Sequence, residues 1–220
     1  MEIIKSYINA HFKTLFIVSS LIVLSIFLLM FRLKITHSFF YLFLVWNLFL
    51  AILPFSITSY LKEQHQLSKV AFCVWLIIWF LFIPNAPYIV TDIIHLRLSP
   101  PKIIFYDALT IISFAISGLL LFLFSLRDMT HIFESHFKTY IPKYIKTSFF
   151  FTVSFGVYLG RFLRYNSWEI LSNPKHLFLD IFYIISDPME HKVAWAFTIF
   201  FGLTLKLTAS CFNLLAKIEH

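Results

Sequence analysis

The sequence predicts an all-α fold, a polytopic transmembrane helical bundle of about six spans with short interfacial or re-entrant helices on one face. Three observations carry that class. Of the 220 residues, 60% are apolar and only 13% charged, against about 45–50% and about 25% in soluble chains. Phe occurs 29 times and Gly 4 times, which is more apolar bulk than one water-soluble core of this length can hide. The apolar residues also fall in long uncharged runs, and a bilayer core of about 30 Å takes roughly 20 helical residues to cross. These features exclude a soluble enzyme, a disordered chain and a disulfide-stapled secreted module.

The first expected span, residues 14–31, lies between Lys13 and Arg32. Lys5 and Lys13 ahead of it would also suit a secretory signal. Leu29-Met30-Phe31-Arg32 offers no small-residue cleavage site, however, so a retained helix is expected. The second span, 38–61, holds Asn47 and Pro54. The third, 70–84, is expected to end or kink at Pro84, which disfavours helical geometry at Ile83. Asn85 is then placed to cap a new short helix with Pro87 in its first turn. On that helix Tyr88, Asp92 and His95 follow at i, i+4 and i+7 as one polar stripe, and Ser99-Pro100-Pro101 stops it.

The fourth span, 103–126, carries Asp107 near its start, where an unpaired carboxylate is costly and an arginine partner is expected. The fifth, 145–163, has the shortest uncharged run, 14 residues between Lys146 and Arg161. Within it Gly156 and Gly160 form a small-xxx-small pair suited to close helix contact. Arg161 and Arg164 are three apart on a helix, so both guanidinium groups could reach one anion. Asn166 with Glu169 has capping-box spacing for a further short helix around Trp168, which Asn173-Pro174 would end. That helix N-terminus would add positive character beside the arginines. The run 176–186, with Asp180 inside, is too short to span and could cover the cluster. The sixth span, 193–214, contains Lys206, whose ammonium is expected to snorkel to the opposite surface. Residues 1–220 make a single membrane domain.

Cys73 and Cys211 fall inside spans and read as small apolar residues, with neither metal nor disulfide spacing. The net charge of +7 comes from basic residues scattered singly along the loops, which points to membrane lipids rather than nucleic acid as partners. With six spans, nine basic residues, Lys5 and Lys217 among them, share the side of the termini and eight the other. Setting aside Arg161 and Arg164 leaves nine against six, a slight lean to cytoplasmic termini in a cytoplasmic membrane. The oligomeric state is not fixed by the sequence.

That topology is expected to bring Asp92, His95, Asp107, Arg161, Arg164, Trp168 and Glu169 to one face. Asp92 and His95 at i, i+3 could contribute to a metal site, but two ligands are not a site and Asp107 would have to supply a third. Neither a metal nor a cofactor is expected. No Gly-x-Ser-x-Gly, Ser-x-x-Lys, His-Glu-x-x-His, phosphate-binding loop or dinucleotide fingerprint occurs.

Pro84-Asn85-Ala86-Pro87-Tyr88-Ile89-Val90-Thr91-Asp92 with His95-Leu96, then Tyr106-Asp107, then Leu159-Gly160-Arg161-Phe162-Leu163-Arg164-Tyr165-Asn166-Ser167-Trp168, resemble a bacterial membrane-protein family. This is the family called domain of unknown function 1361, and the likeness runs from about the second span onward. It implies a bacterial multi-pass protein and carries no activity with it. From the residues themselves, the leading expectation is a site for an anionic lipid headgroup or small anion. Arg161 and Arg164 would clamp it, Asp92 and Asp107 would be counter-charges, and Asn85, Tyr88, His95, Asn166, Trp168 and Glu169 would shape it. One alternative is a membrane-embedded hydrolase or transferase acting on a lipid-linked substrate, with Asp92, His95 and Asp107 as candidate catalytic groups. A small-solute transporter ranks third, because the helix break lies near a span end and no internal repeat is present.

Overall fold

The computed structural model describes residues 11–64 and 67–218, and every regular element among them is helical. Lys5 and the side chain of Lys217 lie outside the described residues. Helix α1 is Phe12–Thr36, and a 3-10 turn at Phe40–Leu42 leads into α2, Phe43–Lys62. Helix α3, Lys69–Phe82, continues into the single turn α4, Asn85–Tyr88, and then a 3-10 helix, Ile89–Leu98. The remainder is α5 (Ile104–Phe137), α6 (Lys143–Phe162), α7 (Glu169–Ser172), α8 (Pro174–Ser186) and α9 (Lys192–Ile218).

Among the described residues, five segments are long and apolar enough to cross a membrane: Phe12–Thr36, Phe40–Lys62, Lys69–Leu98, Ile104–Phe137 and Lys192–Leu215. The protein is thus a helical bundle with several candidate spans. The expected fifth span differs. Helix α6 has 20 residues, about 30 Å of rise, but its residues include Lys146, Thr147, Ser148, Thr152, Ser154 and Arg161, and it falls short of the other five in apolarity. Of these polar residues, Thr152 and Arg161 line a cavity, Ser154 is buried, and Lys146 pairs with Glu134 at 2.9 Å.

Helix starts and stops follow from backbone chemistry. Ser68 caps α3, its hydroxyl accepting from the Ala71 N–H at 3.2 Å. Helices α1 and α5 end on left-handed residues, His37 (φ 51°) and Lys138 (φ 50°). Helix α5 runs on past residue 126 to Phe137 and is the hub of the bundle, packed against α1, α2, α4 and the 3-10 helix. Helix α6 packs mainly against α9, and α4 joins the two groups by touching both α5 and α6. Leu44, Phe72, Ile89, Phe114, Leu121 and Phe122 fill the core. Outward residues such as Phe27, Phe105 and Phe200 are exposed, as expected where the surrounding solvent is lipid. Cys73 and Cys211 are free and lie on this exposed surface.

Pro84 does not interrupt the chain in the expected way. Ile83 (φ −58°, ψ −31°) and Pro84 (φ −62°, ψ −24°) both stay helical. The helix narrows instead: the Ala86 N–H bonds to the Ile83 carbonyl, three residues back. That leaves the Phe82 carbonyl for the side chain of Asn85, which donates to it at 2.9 Å. Asn85 therefore does not cap a new helix, because no extended residue precedes it. Asn173-Pro174 ends α7 as expected, and it also opens α8 with proline at the first turn.

Candidate functional site

The Pro84–Ile89 segment is held between α5 and α6 by glycines on both sides. A Cβ on Gly118 of α5 would lie 2.4 Å from the Ala86 carbonyl oxygen. A Cβ on Gly156 of α6 would lie 2.8 Å from Pro84 Cγ, and one on Gly160 would lie 3.3 Å from Tyr88 Cε2. The small-xxx-small pair of α6 thus receives the proline corner. This contact sets Arg161, one residue beyond Gly160, against the start of the 3-10 helix.

Two residues of that helix, and Tyr88 just before it, meet the Arg161 guanidinium. Its Nε donates to Thr91 Oγ1 at 2.7 Å, its Nη2 donates to Asp92 Oδ1, and its Cζ stacks 4.2 Å from the Tyr88 ring centroid. Asp92 is fully buried, and its second oxygen accepts from Asn47 Nδ2 at 2.8 Å. Asn47 is the lone amide in the second span, and that isolation is the one sequence signal that marks it. The expected stripe changes because the segment is 3-10. Side chains three apart eclipse in such a helix, so Asp92 aligns with His95 and Tyr88 aligns with Thr91. His95 Nδ1 lies 3.1 Å from the Asp92 carbonyl and 3.7 Å from Asp92 Oδ1.

Arg164 is not on the same helix as Arg161. Helix α6 ends at Phe162, and Arg164 takes a left-handed conformation (φ 62°) while the Tyr165 N–H returns to the Leu159 carbonyl. The two arginines are therefore not a helix-spaced clamp, and they approach the site from a helix and from a turn. Arg164 is exposed and makes no hydrogen bond or ion pair with the other described residues. The turn is tied down on both flanks: Ser167 Oγ accepts from Asn85 Nδ2 at 2.9 Å, and the Tyr165 hydroxyl donates to Asp180 Oδ2 at 2.7 Å. That bond to a carboxylate pushes the Tyr165 phenol up to about 12.

These groups surround one cavity of about 730 Å³. Among the residues expected from sequence, Asn85, Tyr88, His95, Arg161, Arg164 and Asn166 line it. Asp92 stands directly behind the Arg161 guanidinium. Leu177 and Ile181 of α8 close one side, which is where the run 176–186 was expected to cover the cluster.

Three expected members lie elsewhere. Asp107 pairs with Arg32 of α1, Nε to Oδ1 at 3.0 Å, and both are buried. It thus serves neither Arg161 nor Arg164 and does not join Asp92 and His95. Arg32 also donates to the Ser38 carbonyl at 2.8 Å and lies 4.5 Å over the Tyr41 ring. Trp168 and Glu169 are outside the cavity lining. The Glu169 carboxylate accepts from the Asn166 backbone N–H at 2.9 Å and from its Nδ2 at 3.0 Å, so the start of α7, four residues long, already carries an anion. Thr91, Asn47, Ser167, Tyr165 and Arg32 were not singled out by sequence. Short polar residues usually satisfy themselves on their own helix backbone, as Thr110 and Ser117 do here, and their spacing does not tell which ones reach across.

A family model described as "Protein of unknown function (DUF1361)" matches residues 46–207. No curated protein and no solved structure matches the chain. The chain belongs to this family, and the matched segment contains every cavity-lining residue named above.

Proposed function

We propose that this member of the DUF1361 family binds an anionic oxyanion group, of the phosphate-ester type, at the polar end of the cavity. One observation carries this reading: Arg164 lines the cavity with no ionic partner among the described residues, whereas Arg32 and Arg161 are each committed to a buried aspartate. The Arg161–Asp92 pair cancels internally, so the wall keeps the charge of Arg164. Asn85, Asn166 and Ser167 add neutral polar groups beside it. The exposed, planar guanidinium can form charge-assisted, bidentate hydrogen bonds to an oxyanion. Arg161 is a positioning residue in this reading: it fixes the 3-10 helix against α6.

The test is titration of the purified protein in neutral detergent with inorganic phosphate in one arm and phosphatidic acid in the other. The expected result is salt-sensitive binding of the anionic probe, weakened by about tenfold or more in Arg164→Ala, as charged hydrogen bonds contribute roughly 1.5–3 kcal/mol. Equal binding by wild type, Arg164→Ala and Arg164→Glu would overturn the proposal.

A second reading, a hydrolase or transferase acting on a lipid-linked substrate, is favoured by His95. Its ring lines the same cavity. A neutral imidazole whose Nδ1–H donates to the Asp92 carbonyl keeps Nε2 as a base. Turnover of a lipid-linked phosphate ester that disappears in His95→Gln, with binding retained, would select this reading.

A further inference from the structure

We infer that the ligand of this cavity is an amphiphile: an anionic head held at Arg164 and an acyl or prenyl tail laid against α6 toward the middle of the bilayer. This rests on the anion reading above and names the class of molecule that would carry the anion.

The cavity has two chemically distinct ends. At one lie Arg164, Asn166, Ser167, Asn85 and His95. The other follows α6 back to Thr152 and Val153, opposite Phe80, Leu81 and Leu50. Thr152 precedes Arg161 by nine residues on α6, so the lining extends about 13 Å along the helix. That brings it to the middle of this 20-residue element, a depth where a bilayer is hydrocarbon. A small hydrated anion has no use for such an extension, because its charge is costly there. An alkyl chain fits it without that cost.

The deep end is also open at the side. Phe80 is 39% exposed while lining the cavity, and Thr152 is exposed as well. These residues lie on the outer surface of the bundle between α3 and α6. A molecule already dissolved in the bilayer can enter there tail-sideways while its head reaches the arginine turn. The opposite wall is the apolar side of α8, through Leu177 and Ile181, and the Tyr165–Asp180 bond holds that helix to the arginine turn. Head and tail contacts therefore sit on one connected surface.

The experiment compares inorganic phosphate with dodecyl phosphate on the detergent-solubilised full chain and on Thr152→Trp. The exposed Thr152 site tolerates a larger side chain, and the indole would fill the deep end. We expect Thr152→Trp to weaken dodecyl phosphate about tenfold while leaving inorganic phosphate unchanged, and Arg164→Ala to weaken both. As a second readout, dodecyl phosphate brominated at the chain end should quench the fluorescence added by Phe80→Trp, an effect lost when Arg164→Ala is combined with it. If phosphate binds through Arg164 but Thr152→Trp has no selective effect and the Phe80→Trp fluorescence is not quenched, the tail assignment is overturned and the anion site stands. If neither probe depends on Arg164, both readings fall.

Discussion

At the scale of single residues, the arginines Arg32, Arg161 and Arg164 separate structural from available charge. Arg161 faces a fully buried Asp92 and uses two different guanidinium nitrogens, on Thr91 and on Asp92. Arg161→Ala should cost about 3–5 kcal/mol, because it strands a buried carboxylate. Arg161→Lys should also destabilise measurably, since a single ammonium cannot reproduce the planar fork. Thermal unfolding in detergent checks both, and a Tm equal to wild type in either variant contradicts the geometry. Tyr165 offers a pH test outside the spans. Its phenol, pushed up to about 12 by its bond to Asp180, lies above the ordinary value of about 10. A raised acid makes its contribution fully below pH ~10 and loses it as pH rises through about 12. The ultraviolet difference between wild type and Tyr165→Phe should therefore titrate near 12 and move back toward about 10 in Asp180→Asn.

At the scale of elements, the segment from Pro84 to Leu98 does most to shape the site. Two prolines thin its hydrogen bonding, the 3-10 winding realigns Asp92 with His95, and glycines on α5 and α6 let it pack between them. The two glycine contacts differ in what they touch. At Gly118 an added methyl meets a backbone carbonyl at 2.4 Å, which cannot move alone. Gly118→Ala should lose about 1–3 kcal/mol through overpacking, more than the ~1 kcal/mol gained from helix propensity. At Gly160 the methyl meets a tyrosine ring edge at 3.3 Å. That ring can give by a few tenths of an ångström, so Gly160→Ala should be close to neutral. Melting temperatures of the two variants in the same detergent decide this, and reversed order would refute the packing.

At the scale of the whole molecule, α5 holds the bundle together and α1 is its outermost attachment. Only Val18, Ser25, Leu29 and Arg32 of α1 are buried, and its polar links to α5 are Ser25···Ser117 at 3.2 Å, Arg32–Asp107 at 3.0 Å and the Tyr106 hydroxyl donating to the Leu28 carbonyl at 2.9 Å. Arg32 lies outside the family match and Asp107 inside it. Arg32→Met should then destabilise by about 3–5 kcal/mol, and adding Asp107→Leu should recover most of the loss. Failure of the double variant to recover would show that Asp107 has another role.

The sequence by itself determined the membrane class, the placement of the long helices and the gathering of Asn85, Tyr88, His95, Arg161, Arg164 and Asn166 in two short stretches. Those properties are local: composition, uncharged length and proline or glycine punctuation report them within a window of a few turns. Tertiary structure alone decided which aspartate meets which arginine, since Arg32 and Asp107 are 75 residues apart and no periodicity connects them. It also decided that Arg164 leaves the helix and that Thr91 and Asn47 join the site. The approach of Thr91 and Asp92 to Arg161 depends on how closely Gly118 and Gly156 let Pro84–Ile89 pack, and the Arg164 turn on the Tyr165–Leu159 and Asn85–Ser167 bonds. Distances between packed elements, which no single helix encodes, leave Arg164 lining the cavity without an ionic partner among the described residues.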